Sequence, residues 1–219
     1  MLLKVSDCFT FFYLIIILAY ICILINKSKI LYGVLANPKT TLADDLTICR
    51  ILNGMWQVSG GHGQINPESA ILEMLEYHKD GFTTWDLADI YGPAESYIGE
   101  FRKRLPPNEL SKSQALTKFV PNPGPMTKSI VEYYIDQSLY KMNTDSLDLV
   151  QFHWWDYNNA SYLDALNHLS KLRDMGKIKH LGLTNFDTKR VKIMIEKGFK
   201  LVSNQVQYSI LDQRPEKLM

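Results

Sequence analysis

The sequence predicts an α/β protein in which parallel strands form a β/α barrel with helices outside, behind an apolar N-terminal helix. Strand-like and helix-like segments alternate along most of the chain, which is typical of a parallel sheet covered by helices. Four polar residues end successive strands at spacings of 32, 35 and 32 residues: Asp86, Lys118, His153 and Asn185. One such residue per strand, always at the same end, is the layout of a barrel active site, whereas a doubly wound sheet places its site at one switch point.

Stop signals and apolar periodicity place the individual elements. Asn66 followed by Pro67 predicts a helix start, because asparagine caps helix N-termini and proline suits the first helical position. Gly81 predicts the end of that helix, and Asp187 predicts the cap of the last one. The predicted strands cover residues 48–52, 82–86, 115–118, 147–153, 179–184 and 201–206. The predicted helices cover residues 67–80, 94–104, 127–142, 162–175 and 188–198.

The N-terminal segment differs in composition from the rest of the chain. Residues 8–26 carry no charge and are dominated by Phe, Leu, Ile and Tyr, and about 20 apolar helical residues span a bilayer core. We therefore expect a membrane anchor, with Lys27 and Lys29 on its cytosolic side. A cleaved secretory signal and an unusual N-terminus remain open, whereas a plastid transit peptide would be rich in Ser and Arg. The predicted parts are an apolar segment at 1–29, a linker at 30–46 and a partial barrel at 47–219.

The composition of the whole chain narrows the class of protein. A net charge of +1 with no long basic run gives no reason to expect a nucleic-acid partner. The three cysteines, Cys8, Cys22 and Cys49, show neither metal-ligand spacing nor a disulfide framework. The sequence therefore predicts no metal site and no disulfide-dense secreted scaffold.

Three short motifs lie at the strand ends. The run Trp-Asp-Leu-Ala-Asp-Ile-Tyr-Gly at 85–92 puts Tyr91 in the loop after Asp86. The run Leu-Thr-Asn-Phe follows at 183–186, and Asn-Gln-Val-Gln-Tyr-Ser follows at 204–209. Together with the polar residues that end strands three and four, these motifs resemble the aldo-keto reductase superfamily over the whole of the predicted barrel.

The resemblance implies a (β/α)8 TIM barrel that reduces an aldehyde or ketone with NADP(H) by hydride transfer. It also implies that a hydroxyl and two amide side chains hold the nicotinamide carboxamide, a role that falls by motif to Thr184, Asn185 and Gln205. Side chains of these types supply both hydrogen-bond donors and acceptors. Within the superfamily, the chain looks most like a plant branch whose members are often sent to plastids.

The catalytic residues that the resemblance implies also have a chemical rationale. Tyr91 can protonate the forming alkoxide, since a tyrosine holds its proton at neutral pH. A neighbouring Lys118 ammonium would lower the pKa of Tyr91, and a paired Asp86 would keep the buried lysine charged. His153 would hydrogen-bond the substrate carbonyl and orient it.

Each of these residues also has a structural alternative. Tyr91 fits a packed loop aromatic, Lys118 a solvated charge and Asp86 a turn cap. His153, which precedes two tryptophans, fits a satisfied interior histidine. Because perturbed groups are often structural, each residue alone favours the structural role, whereas the set on successive strand ends favours catalysis.

The predicted barrel is incomplete, because the pattern gives about six strands where the resemblance implies eight. The part that is lacking would include segments that stack the nicotinamide and bind the 2′-phosphate of NADP. Two functions therefore remain open. One is an NADP(H)-dependent reductase with a small carbonyl substrate, and the other is a truncated, non-catalytic or nucleotide-responsive interaction protein. The predicted localisation is membrane-associated with a cytosolic domain, with the secretory pathway or the plastid as alternatives.

Overall fold

The structure, a computed structural model, describes residues 38–61 and 63–217. Of these residues, those from Thr41 onward form one compact unit. The strands are β1 (Lys39–Ala43), β2 (Leu46–Cys49), β3 (Asn53–Gly54), β4 (Thr84–Asp86), β5 (Gln114–Phe119), β6 (Leu147–His153), β7 (Ile178–Thr184) and β8 (Asn204–Gln205). The helices are α1 (Pro67–Lys79), α2 (Ala94–Arg104), α3 (Pro107–Leu110), α4 (Lys128–Lys141), α5 (Tyr162–Asp174) and α6 (Thr188–Glu196), with 3₁₀ segments at Met55–Ser59 and Arg214–Lys217.

Side-chain caps explain where the helices begin. The Asn66 side chain accepts a hydrogen bond from Ser69 N at 3.1 Å, and Pro67 is the first residue of α1. The Asp187 side chain accepts from Arg190 N at 2.9 Å at the start of α6. These bonds satisfy backbone N–H groups that the first helical turn leaves unpaired. The helix starts predicted from both residues are confirmed.

The main sheet has six parallel strands whose spatial order, β3-β4-β5-β6-β7-β8, is also their order along the chain. It is strongly curled. Neighbouring strands lie about 4.8 Å apart, so β4 and β8 would be roughly 19 Å apart in a flat sheet. Instead, Gln205 Nε2 on β8 lies 3.2 Å from Asp86 Oδ1 on β4. The strands therefore wrap into part of a barrel, which confirms the predicted incomplete (β/α)8 fold.

The two faces of the sheet have different environments, because successive side chains of a strand point to opposite faces. The outer face packs against the helices and forms the larger apolar core, with Trp85, Val150 and Phe152 fully buried. On the inner face, Leu116 and Leu149 pack against Leu46 and Ile48 of the two-stranded sheet. The inner face is therefore apolar where it meets β2 and polar toward the carboxyl ends of its strands.

The structure differs from the predictions at the first and last barrel strands. The strand predicted at 48–52 is wrong, because β2 belongs to the separate two-stranded sheet and the first barrel strand is only β3. The linker predicted at 30–46 overlaps β1 and the start of β2. The strand predicted at 201–206 contracts to two residues in β8. Strands β5, β6 and β7 agree with their predicted positions.

The membrane-associated localisation predicted from the N-terminal segment is corrected. Within residues 38–61 and 63–217, the structure has no helix that is both long and apolar enough to cross a bilayer. The predicted anchor itself, residues 8–26, lies outside the described residues. The membrane localisation and its secretory and plastid alternatives are not retained.

Candidate active site

A buried ion pair joins the ends of β4 and β5. Lys118 Nζ donates to both carboxylate oxygens of Asp86, at 2.7 and 2.8 Å, and to Leu87 O at 3.2 Å. The two side chains are 6% and 18% exposed, respectively. With all three donor hydrogens directed at acceptors, the ammonium is satisfied although it is buried, which is the condition for keeping a charge inside a protein.

Two amide side chains complete the surroundings of Asp86. Gln151 Nε2 donates to Asp86 Oδ1 at 3.1 Å, and Gln205 Nε2 donates to the same oxygen at 3.2 Å. Gln151 was not predicted as a site residue. Its position two residues before His153 on β6 was the available signal, because residues i and i+2 of a strand lie on the same face.

Tyr91 lies in a turn directly after β4. Its N–H donates to Ala88 O at 3.0 Å, and its ring centroid is 5.0 Å from that of Trp56. The following residue must be glycine, since Gly92 has φ +53° and a Cβ there would lie 2.8 Å from Ser59 O. The turn therefore places Tyr91 beside the ion pair, with Lys118 Nζ 5.5 Å from the centre of its ring.

The pKa shifts of Tyr91 and Lys118 differ from the prediction in one respect. Burial, and secondly the negative charge of Asp86, raise the pKa of Tyr91 above its ordinary value. The net shift is therefore opposite to the lowering predicted from Lys118, because burial and the charge of Asp86 set its direction. Burial also lowers the pKa of Lys118, while its attraction to Asp86 and their hydrogen bonds oppose that shift. Asp86 was expected to keep the buried lysine charged, and its opposing effect on the pKa of Lys118 agrees with that expectation.

His153 ends β6 on the same inner edge. The residue is buried, and its ring centroid is 4.2 Å from that of Trp155. Burial, followed by the positive charge of Lys118, lowers the pKa of His153 below its ordinary value. The imidazole is therefore neutral at neutral pH and has one N–H to donate.

The three predicted cofactor residues lie together at the ends of β7 and β8. Thr184 is buried, and its Oγ1 has no hydrogen-bond partner within the part of the chain that the structure describes. Asn185 has a left-handed backbone (φ 60°), and its N–H donates to Gln205 O at 2.8 Å. The Gln205 side chain contacts Asp86, as described above. A cavity of about 450 Å³ is lined by Asn185 and, among other residues, Arg214.

The fold and the position of this cluster place the chain among the β/α-barrel proteins whose site lies at the carboxyl ends of the strands. A comparison with known families narrows this class. The model of the Aldo/keto reductase family matches residues 50–219, and the chain belongs to that family. The resemblance to aldo-keto reductases seen in the sequence is thereby confirmed, whereas the plant-type branch stays a prediction.

Individual relatives and solved structures agree with this assignment. The chain is 29% identical over 191 residues to the 6-dehydroglucose reductase of Agrobacterium fabrum, covering 79% of this chain and 62% of that protein. It is 27% identical over 187 residues to the uncharacterised oxidoreductase YcsN of Bacillus subtilis, with 77% and 60% covered. The thermostable aldo-keto reductase Tm1743, solved with the inhibitor epalrestat, superposes with a TM-score of 0.71 at 23% identity, covering 82% of this chain and 65% of that one.

The Bombyx mori aldo-keto reductase, solved with NADP, superposes with a TM-score of 0.65 at 19% identity, covering 78% of this chain and 58% of that chain. At such identities these structural matches support the fold alone. The chain spans about three fifths of the length of the relatives that it matches.

Proposed function

We propose that this chain is an NADP(H)-dependent reductase of small aldehydes or ketones, with Tyr91 as the proton donor. The observation that carries the proposal is the Tyr91–Lys118–Asp86 arrangement on the curled sheet, in which a buried, fully satisfied ion pair lies beside a tyrosine. Family membership over residues 50–219 supports the reaction class.

The proposed roles follow from the protonation states. Tyr91 keeps its phenolic proton at neutral pH and gives it to the forming alkoxide as a general acid. The Lys118 ammonium becomes the counter-charge of the phenolate that this transfer leaves behind. Asp86 holds the lysine in place, and the neutral His153 donates a hydrogen bond to the substrate carbonyl and orients it.

The residues at the ends of β7 and β8 fit the carboxamide end of a nicotinamide cofactor. The buried Thr184 Oγ1 has no partner among the described residues, and an amide ligand would supply one. Asn185 and Gln205 add side-chain amides at the same edge, and Gln205 keeps its carbonyl oxygen and second N–H beside the bond that it donates to Asp86. NADPH, when bound, supplies the hydride, and the Bombyx mori relative solved with NADP supports this choice of cofactor.

The test is steady-state turnover of 4-nitrobenzaldehyde with NADPH by the full chain and by its Tyr91→Phe variant. Because general acid catalysis contributes about 10²- to 10⁴-fold, the variant should lose at least that much in kcat. Its affinity for NADPH, measured by fluorescence titration, should stay close to that of the unaltered chain.

The matched control is Tyr140→Phe, which removes a hydroxyl from a tyrosine that is 84% exposed on α4 and should change neither quantity. Full turnover by Tyr91→Phe would exclude Tyr91 as the acid. NADPH binding without any turnover by the unaltered chain would instead favour the nucleotide-responsive, non-catalytic alternative.

A further inference from the structure

Asp89 lies between Asp86 and Tyr91 and extends the pairing of β4 with β5 beyond the last regular strand residue. Leu87 N donates to Leu116 O at 3.0 Å, and Asp89 N donates to Lys118 O at 3.0 Å. The next N–H along this chain segment, that of Val120, has no backbone carbonyl of the loop as its acceptor. Instead, Val120 N donates to Asp89 Oδ2 at 3.1 Å. The carboxyl group thus replaces a backbone carbonyl as the last acceptor of the ladder.

A pair of opposite charges, of which the carboxylate is buried and the ammonium is 33% exposed, lies close to this carboxyl group. Glu95 on α2 is 1% exposed and accepts from Thr117 Oγ1 at 2.8 Å and from Lys141 Nζ on α4 at 3.4 Å. Within the described residues, Glu95 and Lys141 are the charged side chains of neighbouring elements whose fields act on Asp89. A single lysine therefore faces two carboxyl groups.

Burial raises the pKa of Asp89 to about 7, and the negative charge of Glu95 adds to the shift. Hydrogen bonds from the backbone of Val120 and Ile90 and the charge of Lys141 act in the opposite direction. The second carboxyl oxygen, Oδ1, is buried and has no hydrogen-bond partner within the described part of the chain. Asp89 is thus a loop carboxyl that is disfavoured in its charged form, although the mechanism above does not use it.

We propose that Asp89 is a positioning residue: its carboxyl group holds the loop that carries Tyr91 against the end of β5, and it holds that loop less firmly as the carboxyl ionises. The effect on catalysis rests on the proposed function. The attachment of the loop to β5 is independent of the proposed function, because it is argued from hydrogen bonds and burial alone.

The direction of the pH effect follows from linkage. The carboxyl binds its proton more tightly in the closed loop than in an opened, solvated loop, where its pKa returns toward the ordinary value for aspartate. Opening therefore becomes easier as the pH rises between that ordinary value and about 7, by up to about tenfold per pH unit, and then levels off. The loop is held most firmly at acidic pH.

Amide hydrogen exchange tests the attachment without requiring activity or cofactor. The protection factor of the Val120 N–H is measured between pH 5 and 8 in the full chain, in Asp89→Asn and in Asp89→Ala. In the unaltered chain it should fall as the pH rises to about 7. In Asp89→Asn, which keeps an oxygen acceptor but cannot ionise, it should not depend on pH, and in Asp89→Ala it should be low throughout.

The matched control is Asp145→Asn, which neutralises an exposed aspartate and should follow the unaltered chain. An Asp89→Asn variant with the same pH dependence as the unaltered chain would overturn the proposal. Full protection of Val120 in a folded Asp89→Ala variant would overturn it as well. Where Asp89→Ala does not fold, the pH dependence of Asp89→Asn decides.

Turnover tests the link to Tyr91. In the unaltered chain kcat for 4-nitrobenzaldehyde should fall as the pH rises toward 7, and Asp89→Asn should lack this step while retaining activity. Asp89→Ala should lose about 10- to 100-fold in kcat with little change in KM for NADPH, because it misplaces the acid without altering the cofactor contacts. A kcat in Asp89→Ala equal to that of the unaltered chain would overturn the positioning role. A chain without any turnover refutes the proposed function and leaves the exchange experiment to decide the loop attachment.

Discussion

Lys118 connects the residues of the candidate site. It bonds both oxygens of Asp86 and lies 5.5 Å from the ring centre of Tyr91, and its charge adds to the burial that lowers the pKa of His153. The spacing of strand ends in the sequence predicted that these residues meet. It could not predict the direction of the Tyr91 pKa shift, because the burial and the nearness to Asp86 that set this direction arise only in the folded arrangement.

Removing the partner of Lys118 should destabilise the protein strongly. Asp86→Asn leaves a buried ammonium without a counter-charge, and breaking a buried pair in this way costs about 3–5 kcal/mol. The matched control is Glu100→Gln, since Glu100 pairs with Lys103 where both side chains are about half exposed and the loss should stay below about 1 kcal/mol. Urea unfolding of both variants measures the difference.

The loss in Asp86→Asn should also depend on pH. Burial lowers the pKa of Lys118 in the folded state, so the folded variant binds fewer protons than its unfolded chain. Its stability relative to the unaltered protein should therefore recover as the pH rises from 7 toward 10. A deficit that is constant over this range, or equal to that of Glu100→Gln, would contradict the assignment of a buried, charged Lys118.

Among the secondary-structure elements, the five longer helices were predictable, whereas the four-residue helix α3 and the terminal barrel strands were not. Capping residues and stop signals act locally, so Asn66 and Asp187 marked helix starts correctly. Strands β3 and β8 are two residues long and contain no apolar side chain, so no periodicity reveals them. The apolar run at 48–52 suggested a barrel strand, but its first residue, Ile48, belongs to β2 of the separate two-stranded sheet and is buried there beside Leu46.

The contact between α2 and the end of α4 requires Gly99. A Cβ at this position would lie 2.1 Å from Lys141 O, a backbone atom that cannot move independently. Helix propensity alone predicts that Gly99→Ala stabilises α2 by about 1 kcal/mol. The clash should reverse the sign and give a net loss of about 1–3 kcal/mol.

Thermal and urea unfolding of Gly99→Ala measure this loss. Gly124→Ala is the control, because a Cβ at that position meets nothing within 4 Å and its backbone is not left-handed. A Gly99→Ala protein as stable as the Gly124→Ala protein would show that the two helices do not approach as closely as described.

Over the whole molecule, the curl of the sheet creates the site. It brings Gln205 on β8 to Asp86 on β4, so that the Asp86 carboxylate accepts hydrogen bonds from the amide side chains of both Gln205 and Gln151. The sequence predicts the strand order and the polar strand ends, because both follow from the order of elements along the chain. The contact between β4 and β8 depends on the accumulated twist and tilt of every strand between them, which no local pattern encodes.

The stability of the apolar part of the inner face should depend on its packing against β2. Ile48 is 6% exposed and packs with Leu46 against Leu116 and Leu149, so it covers the inner face away from the carboxyl ends of the strands. Ile48→Ala should lower the free energy of unfolding by about 2–5 kcal/mol, since it removes buried methyl groups and leaves a cavity among fixed neighbours.

Ile51→Ala is the matched control, because the same atoms are removed from a side chain that is 56% exposed and the change should stay within about 0.5 kcal/mol. Urea unfolding of the two variants gives the difference directly, and hydrogen exchange at Leu116 and Leu149 should show that the loss in Ile48→Ala reaches β5 and β6. Equal stability of the two variants would mean that the two-stranded sheet does not cover the interior of the sheet.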